Sequence, residues 1–270
     1  MTSHVHSPRA SATRITLKEK IKSRIPRYLL LTYQLFRTRD IFAVCSFLFR
    51  KHRNARFVQR WELVKRLFLI TRHVTCYHSQ SEIFAPIKAI LALPPEVPGV
   101  IVEAGCCKGG STAKLSLAAA LAGRELVVFD SFEGIPDNSE PHDKNIWGGE
   151  VKFAEGDYAG TLEEVSGNVR RFGDIKVCRF VKGFFDSTMP DFREPVAVAY
   201  LDVDLASSTK TCLKHLWPQI PAGGTLFSQD GHLPLVLKVF ADDAFWRHEV
   251  NTTKPAVLGF GESKVIACRK

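Results

Sequence analysis

Several familiar sequence signals are missing from this chain of 270 residues. Its seven cysteines form no CxxC pair and no cysteine–histidine spacing typical of a metal site, and no leader with an apolar core and a small-residue cleavage site precedes them. We therefore expect free thiols in a reducing, cytoplasmic compartment. Adjacent Cys106 and Cys107 are interpreted as small residues packed in a tight turn rather than as a redox pair.

No stretch of the sequence is both apolar and uncharged over the length that a membrane span requires. The most apolar stretch, residues 28–49, is interrupted by Arg37, Arg39 and Asp40. A composition of 45% hydrophobic and 24% charged residues also excludes a disordered chain, and the length allows one sizeable core. The sequence contains no internal repeat.

Charge is distributed unevenly along the chain. The formal net charge is +9, but residues 1–72 hold 17 Lys and Arg against three acidic residues, so this part carries +14 and the remainder −5. The sequence therefore predicts an acidic main domain with a basic N-terminal part. We expect a disordered tail over residues 1–14, a basic helical arm over residues 15–78 and the main domain over residues 79–270.

The basic arm has two candidate roles. Its helices either cover the main domain or pair with a second subunit in a homo-oligomer, or they lie on an anionic membrane surface as a peripheral contact. Nucleic-acid binding is not expected, because no base-reading motif or aromatic platform accompanies the charge.

Short apolar runs alternate with helical patterns after a proline-rich segment at residues 94–99. This alternation predicts an α/β fold, a doubly wound and mostly parallel seven-stranded sheet with helices on both faces. A hairpin closes the sheet at its end. The predicted strands are residues 100–104, 126–130, 176–182, 196–202, 225–229, 256–258 and 264–268, and the clearest helices are residues 111–121 and 208–217.

The carboxyl ends of the strands carry the most information, because ligands bind there in doubly wound sheets. The first strand runs into a glycine-rich turn in which Gly105 and Gly109 allow backbone amides to approach a ligand closely, and Ser111 or Thr112 caps the next helix. This turn lacks the G-x-G-x-x-G and G-K-[ST] spacings of dinucleotide and triphosphate sites. A nicotinamide dehydrogenase is therefore disfavoured.

The second and third strand ends offer groups for a nucleoside. Asp130 follows the glycine turn at about the distance of an acid that binds ribose hydroxyls, roughly 20 residues. Gly183 and Phe184 follow the third strand with backbone groups and an aromatic edge suited to a purine. Asp130 capping a turn and Phe184 in the core are the alternatives.

Acidic side chains follow the fourth and fifth strands. Parallel neighbouring strands would bring Asp202 and Asp230 together, and a divalent cation would relieve their repulsion. With a third oxygen from Gln229 or Asp204, these groups form a candidate Mg²⁺ site. The alternative is that Asp204 caps the next helix and only one acid has a chemical role.

At these positions the sequence resembles the class I S-adenosylmethionine-dependent methyltransferases of the macrocin O-methyltransferase-like group. The resemblance implies that Glu103, Gly105, Gly109 and Ser111 hold the methionine part of the cofactor. It further implies that Asp130, with the adjacent Ser131, holds the ribose, and that Gly183 and Phe184 hold the adenine. The matching motifs are E-x-G-x-x-x-G-x-S (residues 103–111), D-S-F-E-G-I-P (130–136), K-G-F-F-x-x-T-M-P (182–190), L-D-x-D-L-x-x-S-T (201–209) and P-x-G-G (221–224).

One position departs from the family pattern. The family usually has two adjacent acids after the fifth strand, and this chain has Gln229 and Asp230 there. Related catechol-type enzymes resemble this arrangement in placing an amide beside an acid. The resemblance therefore leaves both a metal site and a weakened metal site open.

The resulting hypothesis is O-methyl transfer from S-adenosyl-L-methionine to the hydroxyl of a small molecule, a sugar, polyketide or phenolic natural product. A cation at Asp202 and Asp230 would lower the pKa of that hydroxyl, and Asp202 or His232 would accept its proton. Residues 141–149, which include Trp147, suit a substrate lid or a solvated loop. The competing hypothesis is a non-catalytic binding or scaffold protein with the same fold, docked through its basic arm.

Overall fold

The structure is a computed structural model and describes residues 40–270. The predicted disordered tail and the first part of the basic arm, residues 15–39, lie outside the described residues. The helices are α1 (Asp40–Phe49), α2 (Phe57–His73), α3 (Gln80–Ala92), α4 (Gly110–Ala122), α5 (Leu162–Phe172), α6 (Phe185–Thr188), α7 (Ala206–Leu216), α8 (Pro234–Ala241) and α9 (Asp243–His248). The strands are β1 (Val100–Ala104), β2 (Leu126–Asp130), β3 (Cys178–Lys182), β4 (Val196–Leu201), β5 (Thr225–Ser228), β6 (Val257–Leu258) and β7 (Ile266–Arg269).

The strands form one seven-stranded sheet in the order β3-β2-β1-β4-β5-β7-β6. The strands β1 to β5 pair in parallel, whereas β7 pairs antiparallel to both β5 and β6. The strand order reverses direction at β1 and β4, so a crevice opens beyond their carboxyl ends. The predicted doubly wound, mostly parallel sheet with a closing hairpin is confirmed.

The third strand begins two residues later than the sequence pattern predicts. Residues Ile175–Val177 form a turn of 3-10 helix, because the Asp174 side chain accepts a hydrogen bond from the Lys176 amide and caps this turn. Ile175 and Val177 of this turn pack against the first core instead of pairing in the strand.

Apolar residues on both faces of the central strands explain why helices pack on both faces of the sheet. Along β1, Ile101 belongs to one core and Val102 to the other, as the alternation of side chains in a strand requires. The first core contains residues of α1 to α5, such as Phe47, and the second contains residues of α7 to α9, such as Trp246.

The helices α1 and α2, within the predicted basic arm, pack as a layer of the first core. Phe47 is fully buried and stacks on Phe84 of α3, with ring centroids 4.7 Å apart, and Leu67 of α2 is also fully buried. Asp40 accepts hydrogen bonds from the backbone amides of Gln80 and Ser81 at the start of α3. In the described part of the arm, one side of each helix thus packs against the sheet domain. None of the described helices has both the length and the hydropathy that crossing a bilayer requires.

Candidate active site

A cavity of about 660 Å³ opens at the carboxyl ends of the parallel strands. Its wall includes Gly105 after β1, Asp130 at the end of β2, Phe184 after β3, Asp202 after β4 and Asp230 after β5. The structure therefore brings together the strand-end residues that the sequence singles out. His232 and Ser131 also belong to the wall.

The glycine turn after β1 requires glycine for a steric reason. Gly105 has a φ of +83°, and a Cβ atom there would lie 2.0 Å from the carbonyl oxygen of Asp202. The Asp202 amide in turn donates to the carbonyl oxygen of Ala104 at 2.9 Å. The ends of β1 and β4 are thus joined directly, which fixes the distance between the glycine turn and the acidic side chains.

Glu103 lies fully buried at the end of β1, and neither carboxylate oxygen has a hydrogen-bond partner among the described residues. Burial raises its pKa to about 7, while the nearby hydroxyls of Ser111 and Thr112 act in the opposite direction. Glu103, Gly109 and Ser111 are not part of the described cavity wall. They lie in and beside the turn that carries Gly105, with Gly109 immediately before α4.

Asp130 is held in a fixed orientation by two backbone amides. Its Oδ2 accepts from the Cys106 amide and its Oδ1 accepts from the Phe132 amide, both at 2.7 Å. Each carboxylate oxygen has further acceptor capacity for a ligand in the cavity. Asp130 therefore orders the turn around it, as the turn-capping alternative predicts, and it also lies in the cavity wall.

Ser131 and the third strand end complete this side of the cavity. The Ser131 hydroxyl donates to the carbonyl oxygen of Gly134 at 2.9 Å and accepts from the Glu133 amide at 3.1 Å, so it shapes a turn. Gly183 adopts a φ of +142° and donates to the carbonyl oxygen of Asp130. Phe184, which is 39% exposed, follows it with its ring in the cavity wall rather than in the core.

Three carboxylates cluster at the other side of the cavity. Oxygen atoms of Asp202, Asp204 and Asp230 lie within 4.8 Å of one another. The Oδ2 atom of the buried Asp230 accepts from the amides of Val203 and Asp204, at 3.0 and 3.1 Å, which ties it to the segment that carries the other two acids. Asp204 has a φ of +60°, in the left-handed region that few residues other than glycine adopt.

The electrostatics of this cluster favour a cation. Burial, together with the charge of Asp230, raises the pKa of Asp202 well above its usual value and the pKa of Asp204 to about 8. The pKa of Asp230 is itself raised by burial, against the hydrogen bonds from the Val203 and Asp204 amides. Lys264 opposes the shift in all three acids, so the cluster is only partly neutralised by the chain itself.

Gln229 lies outside the acidic cluster. Its Oε1 accepts from the Tyr200 hydroxyl at 3.0 Å, and its Nε2 donates to Oε2 of Glu82 at 3.0 Å. The sequence left the third oxygen of the candidate metal site to Gln229 or Asp204, and the structure brings Asp204 into the cluster. The expectation of Gln229 as a ligand does not match this geometry, because both ends of its amide face other partners.

His232 stands at the mouth of the cavity. Burial, reinforced by Lys264, lowers its pKa to about 4, so the imidazole is neutral at neutral pH. Its Nδ1 atom is buried and has no hydrogen-bond partner among the described residues. The Trp147 ring stacks on the imidazole with centroids 5.9 Å apart, and the Ile146 amide donates to the His232 carbonyl oxygen.

The segment predicted as a lid or a solvated loop, residues 141–149, leads into further cavity-wall residues. Asn145 and Phe153 are part of the wall, and Trp147 is 60% exposed. Just before the segment, Glu140 accepts from the amides of Ala206 and Ser207 and so anchors it to the start of α7. The segment is thus fixed at both the α7 and the His232 side of the cavity.

Sequence reasoning missed several cavity-wall residues, among them Tyr77, Tyr158 and Lys264. Tyr77 and Tyr158 make an edge-to-face contact with centroids 5.0 Å apart, and the Lys264 ammonium donates to the Tyr77 carbonyl oxygen at 3.0 Å. These residues come from the α2–α3 connection, the segment after β2 and the β6–β7 turn. The local sequence around each of these residues does not predict that the three segments lie together.

A doubly wound sheet with a glycine turn after β1, an acid at the end of β2 and acids after β4 and β5 defines a Rossmann-like methyltransferase fold. Two solved structures share this fold. The O-methyltransferase NovP aligns with a TM-score of 0.53 and 21% identity over 77% of this chain and 79% of that chain. The calicheamicin methyltransferase CalS11 aligns with a TM-score of 0.51 and 19% identity over 78% and 92%.

A match between the sequence and a family model identifies the family of this chain. Residues 85–256 match the family model of macrocin-O-methyltransferase (TylF), and the chain therefore belongs to this family. The resemblance noted in the sequence is confirmed.

Two curated relatives come from Streptomyces. The 8-demethyl-8-(2,3-dimethoxy-alpha-L-rhamnosyl)-tetracenomycin-C 4'-O-methyltransferase of Streptomyces olivaceus is 36% identical over 142 residues. The demethyldecarbamoylnovobiocin O-methyltransferase of Streptomyces niveus is 33% identical over 143 residues. Each match covers 50% of this chain and 53% of the relative, so the chain spans about half the length of the curated relatives it matches.

Proposed function

We propose that this protein is an S-adenosyl-L-methionine-dependent O-methyltransferase that acts on a hydroxyl of a small molecule. One observation carries the proposal. Gly105, Asp130, Asp202 and Asp230, which follow or end four different strands, converge on one cavity. Membership of the macrocin O-methyltransferase family supports the same activity.

The residues present fit the cofactor. Glu103 is a buried carboxylate without a partner among the described residues, and the methionine end of S-adenosylmethionine brings an ammonium group of opposite charge. We assign Glu103, Gly105, Gly109 and Ser111 to this end. Asp130, oriented by two amides, accepts from the ribose hydroxyls, with Ser131 shaping the adjoining turn, and Gly183 and Phe184 border the adenine. When bound, the cofactor supplies an electrophilic methyl group.

The acidic cluster fits a divalent cation. Three carboxylates whose pKa values are raised, with oxygen atoms within 4.8 Å of one another, form a hard-oxygen donor set of the kind that Mg²⁺ prefers. We assign Asp202, Asp204 and Asp230 to it and leave Gln229 out. When bound, the cation lowers the pKa of a hydroxyl beside it.

The chain's own residues align the acceptor and take up its proton. Asp202, joined to the end of β1, holds the acceptor oxygen at a fixed distance from the glycine turn. Asp202 or the neutral His232 would accept the hydroxyl proton and so prepare the oxygen as an alkoxide or phenoxide. The bound cofactor would supply the methyl group to this oxygen, with its S–CH3 bond broken and S-adenosylhomocysteine as the leaving group. Trp147, which stacks on His232, belongs to the segment that we assign as a substrate lid.

Aromatic side chains around the cavity support a ring-bearing acceptor. Tyr77, Phe153 and Tyr158 belong to the wall, and such side chains bind the flat faces of sugar and phenolic rings. One relative is named as a 4'-O-methyltransferase of a rhamnosyl-tetracenomycin C, and the other as an O-methyltransferase of demethyldecarbamoylnovobiocin. We therefore propose a sugar, polyketide or phenolic natural product as acceptor and cytoplasmic natural-product biosynthesis as the setting.

Methyl transfer from cofactor labelled in its methyl group tests this proposal. The full chain is incubated with labelled S-adenosylmethionine and a metabolite extract, with Mg²⁺ or with a chelator, and products are read by mass spectrometry. We expect a labelled O-methyl product whose formation falls on chelation. If the chain binds no cofactor and yields no labelled product from any extract, the scaffold hypothesis replaces the enzyme.

A further inference from the structure

The helices α1 and α2 expose an unusual amount of apolar surface. Phe42 is 72% exposed, Val58 75% and Trp61 51%. Half of the exposed large apolar side chains in the described residues belong to these two helices. This concentration is greater than expected for apolar residues scattered singly over a surface. The set, here called the α1–α2 face, consists of Phe42, Phe49, Phe57, Val58, Trp61 and Leu69.

These side chains form continuous stripes. In α1, Phe42 and Phe49 are seven residues apart, which places them on the same side of the helix. In α2, Phe57, Val58 and Trp61 are spaced by three and four residues, and Phe49 contacts Phe57 with ring centroids 6.3 Å apart. The stripes of the two helices therefore meet.

Cations accompany the apolar stripes. Within residues 40–73 the exposed charged side chains include one acid, Glu62, which is paired with Lys65. The exposed cations of the same stretch are Arg50, Lys51, Arg53, Arg56, Lys65 and Arg72. The buried acid of this stretch, Asp40, is occupied by backbone amides of α3 and does not offset them.

We propose that the α1–α2 face docks the protein on an anionic lipid surface. Apolar side chains that enter the headgroup region and cations that attract anionic lipids are the two signals that together give stable peripheral binding. Residues 73–270 carry a formal net charge of −5, so an anionic surface repels this part of the chain and orients the α1–α2 face toward the lipid. The inference stands apart from the methyl transfer proposed above.

Charge also distinguishes this partner from a second copy of the chain. A two-fold dimer through the α1–α2 face would place the six exposed cations of each copy opposite those of its partner. An anionic bilayer accepts both the cations and the apolar side chains. A nucleic acid satisfies the cations, but it leaves protruding aliphatic side chains such as Val58 and Leu69 without an apolar partner.

Vesicle co-sedimentation of the full chain tests the proposal, with phosphatidylcholine alone or mixed with phosphatidylserine. We expect binding to the mixed vesicles that weakens with salt, and little binding to phosphatidylcholine alone. The apolar variant Phe42→Ser/Val58→Ser and the charge variant Arg50→Glu/Lys51→Glu each lower the affinity by about tenfold or more. Because all four side chains are exposed, these variants keep the thermal stability of the parent.

Matched controls come from other surfaces of the chain. Leu258→Ser removes an apolar side chain that is 69% exposed, and Lys214→Glu/Lys238→Glu reverses two exposed charges, and both keep the vesicle affinity of the parent. No binding to phosphatidylserine vesicles at low salt overturns the proposal, as does binding that the Phe42→Ser/Val58→Ser variant leaves unchanged. A dimer in light scattering that this variant dissociates, or nucleic-acid binding tighter than vesicle binding, overturns it as well.

Discussion

The amide nitrogen of Gln229 donates to a carboxylate oxygen of Glu82 across 3.0 Å, between residues 147 positions apart in the chain. The same Glu82 oxygen accepts from the Ser79 amide in the capping box of α3, and Gln229 accepts from the Tyr200 hydroxyl. An amide satisfies a donor on one side and an acceptor on the other, which a carboxylate does not. Position 229, where the family usually has an acid, therefore holds an amide in this chain, and the Glu82 carboxylate accepts the hydrogen bond that this amide donates.

The change Gln229→Glu tests this pairing. It places two buried or half-buried carboxylates in contact. We therefore expect the free energy of unfolding to fall by about 3 kcal/mol at pH 8. The loss is smaller at acidic pH, because one of the two carboxylates is protonated there. Urea unfolding of the parent, Gln229→Glu and Glu82→Gln/Gln229→Glu measures it. The double variant recovers most of the loss. A Gln229→Glu protein of unchanged stability that gains Mg²⁺-dependent activity contradicts the pairing and makes residue 229 a metal ligand.

The change Glu103→Gln separates binding from structure. Because the Glu103 carboxylate is buried without a partner, the neutral amide removes a desolvation cost, and we expect about 1 to 3 kcal/mol more stability without cofactor, chiefly above pH 7. The same change weakens S-adenosylmethionine binding. Thermal unfolding and calorimetry on one preparation give both values. A variant that loses stability and keeps its cofactor affinity assigns Glu103 a structural role instead.

The acidic cluster makes stability depend on pH and on metal. The pKa of Asp204 is about 8 in the folded protein and near 3.8 when exposed, so between these values the folded state binds more protons than the unfolded state. The free energy of unfolding without metal therefore falls as pH rises through this window, by up to about 1.4 kcal/mol per pH unit for one such group. Mg²⁺ stabilises the ionised carboxylates, so its stabilising effect grows with pH.

We expect the melting temperature measured with Mg²⁺ and the melting temperature measured with a chelator to differ more and more as the pH rises from 5 to 8. The Asp204→Asn variant supplies the control, because removal of this carboxylate flattens the chelator curve and reduces the effect of Mg²⁺. Parallel curves with and without Mg²⁺ in the parent contradict a cation site at the cluster.

Trp147 is expected to act on the acceptor and not on the cofactor. Stacking on His232 is worth about 0.5 to 1.5 kcal/mol, so Trp147→Ala raises the KM for an identified acceptor by about two- to tenfold and leaves the cofactor Kd unchanged. The control variant Trp147→Phe keeps an aromatic ring and most of the affinity. An equal rise in the cofactor Kd contradicts the role of residues 141–149 as a substrate lid.

The sheet and the strand-end residues were accessible from the sequence because their signals are local. Continuous apolar runs such as residues 196–201 mark buried parallel strands, and the residues that follow them must lie at one edge of the sheet. The glycine at position 105 likewise signals a close approach that the structure shows against the Asp202 backbone.

The rest of the site depends on contacts between distant segments. The Gln229 amide donates to Glu82, and Asp204, whose φ is positive, joins the acidic cluster; the local sequence pattern displays neither feature. Lys264 and Tyr77 meet although 187 residues separate them. Position in the folded chain, rather than residue type, gives these side chains their roles.

Calorimetric titration of S-adenosylmethionine into the full chain and into Asp130→Ala most directly tests whether the strand ends form a cofactor site. The parent is expected to bind one equivalent, and the variant to lose at least about 100-fold in affinity, because two charge-assisted hydrogen bonds to the ribose are removed. Thermal unfolding confirms that the variant is folded, since its Cys106 and Phe132 amides also lose an acceptor. Equal affinity in the parent and a folded variant, or no binding by the parent, contradicts the proposed site.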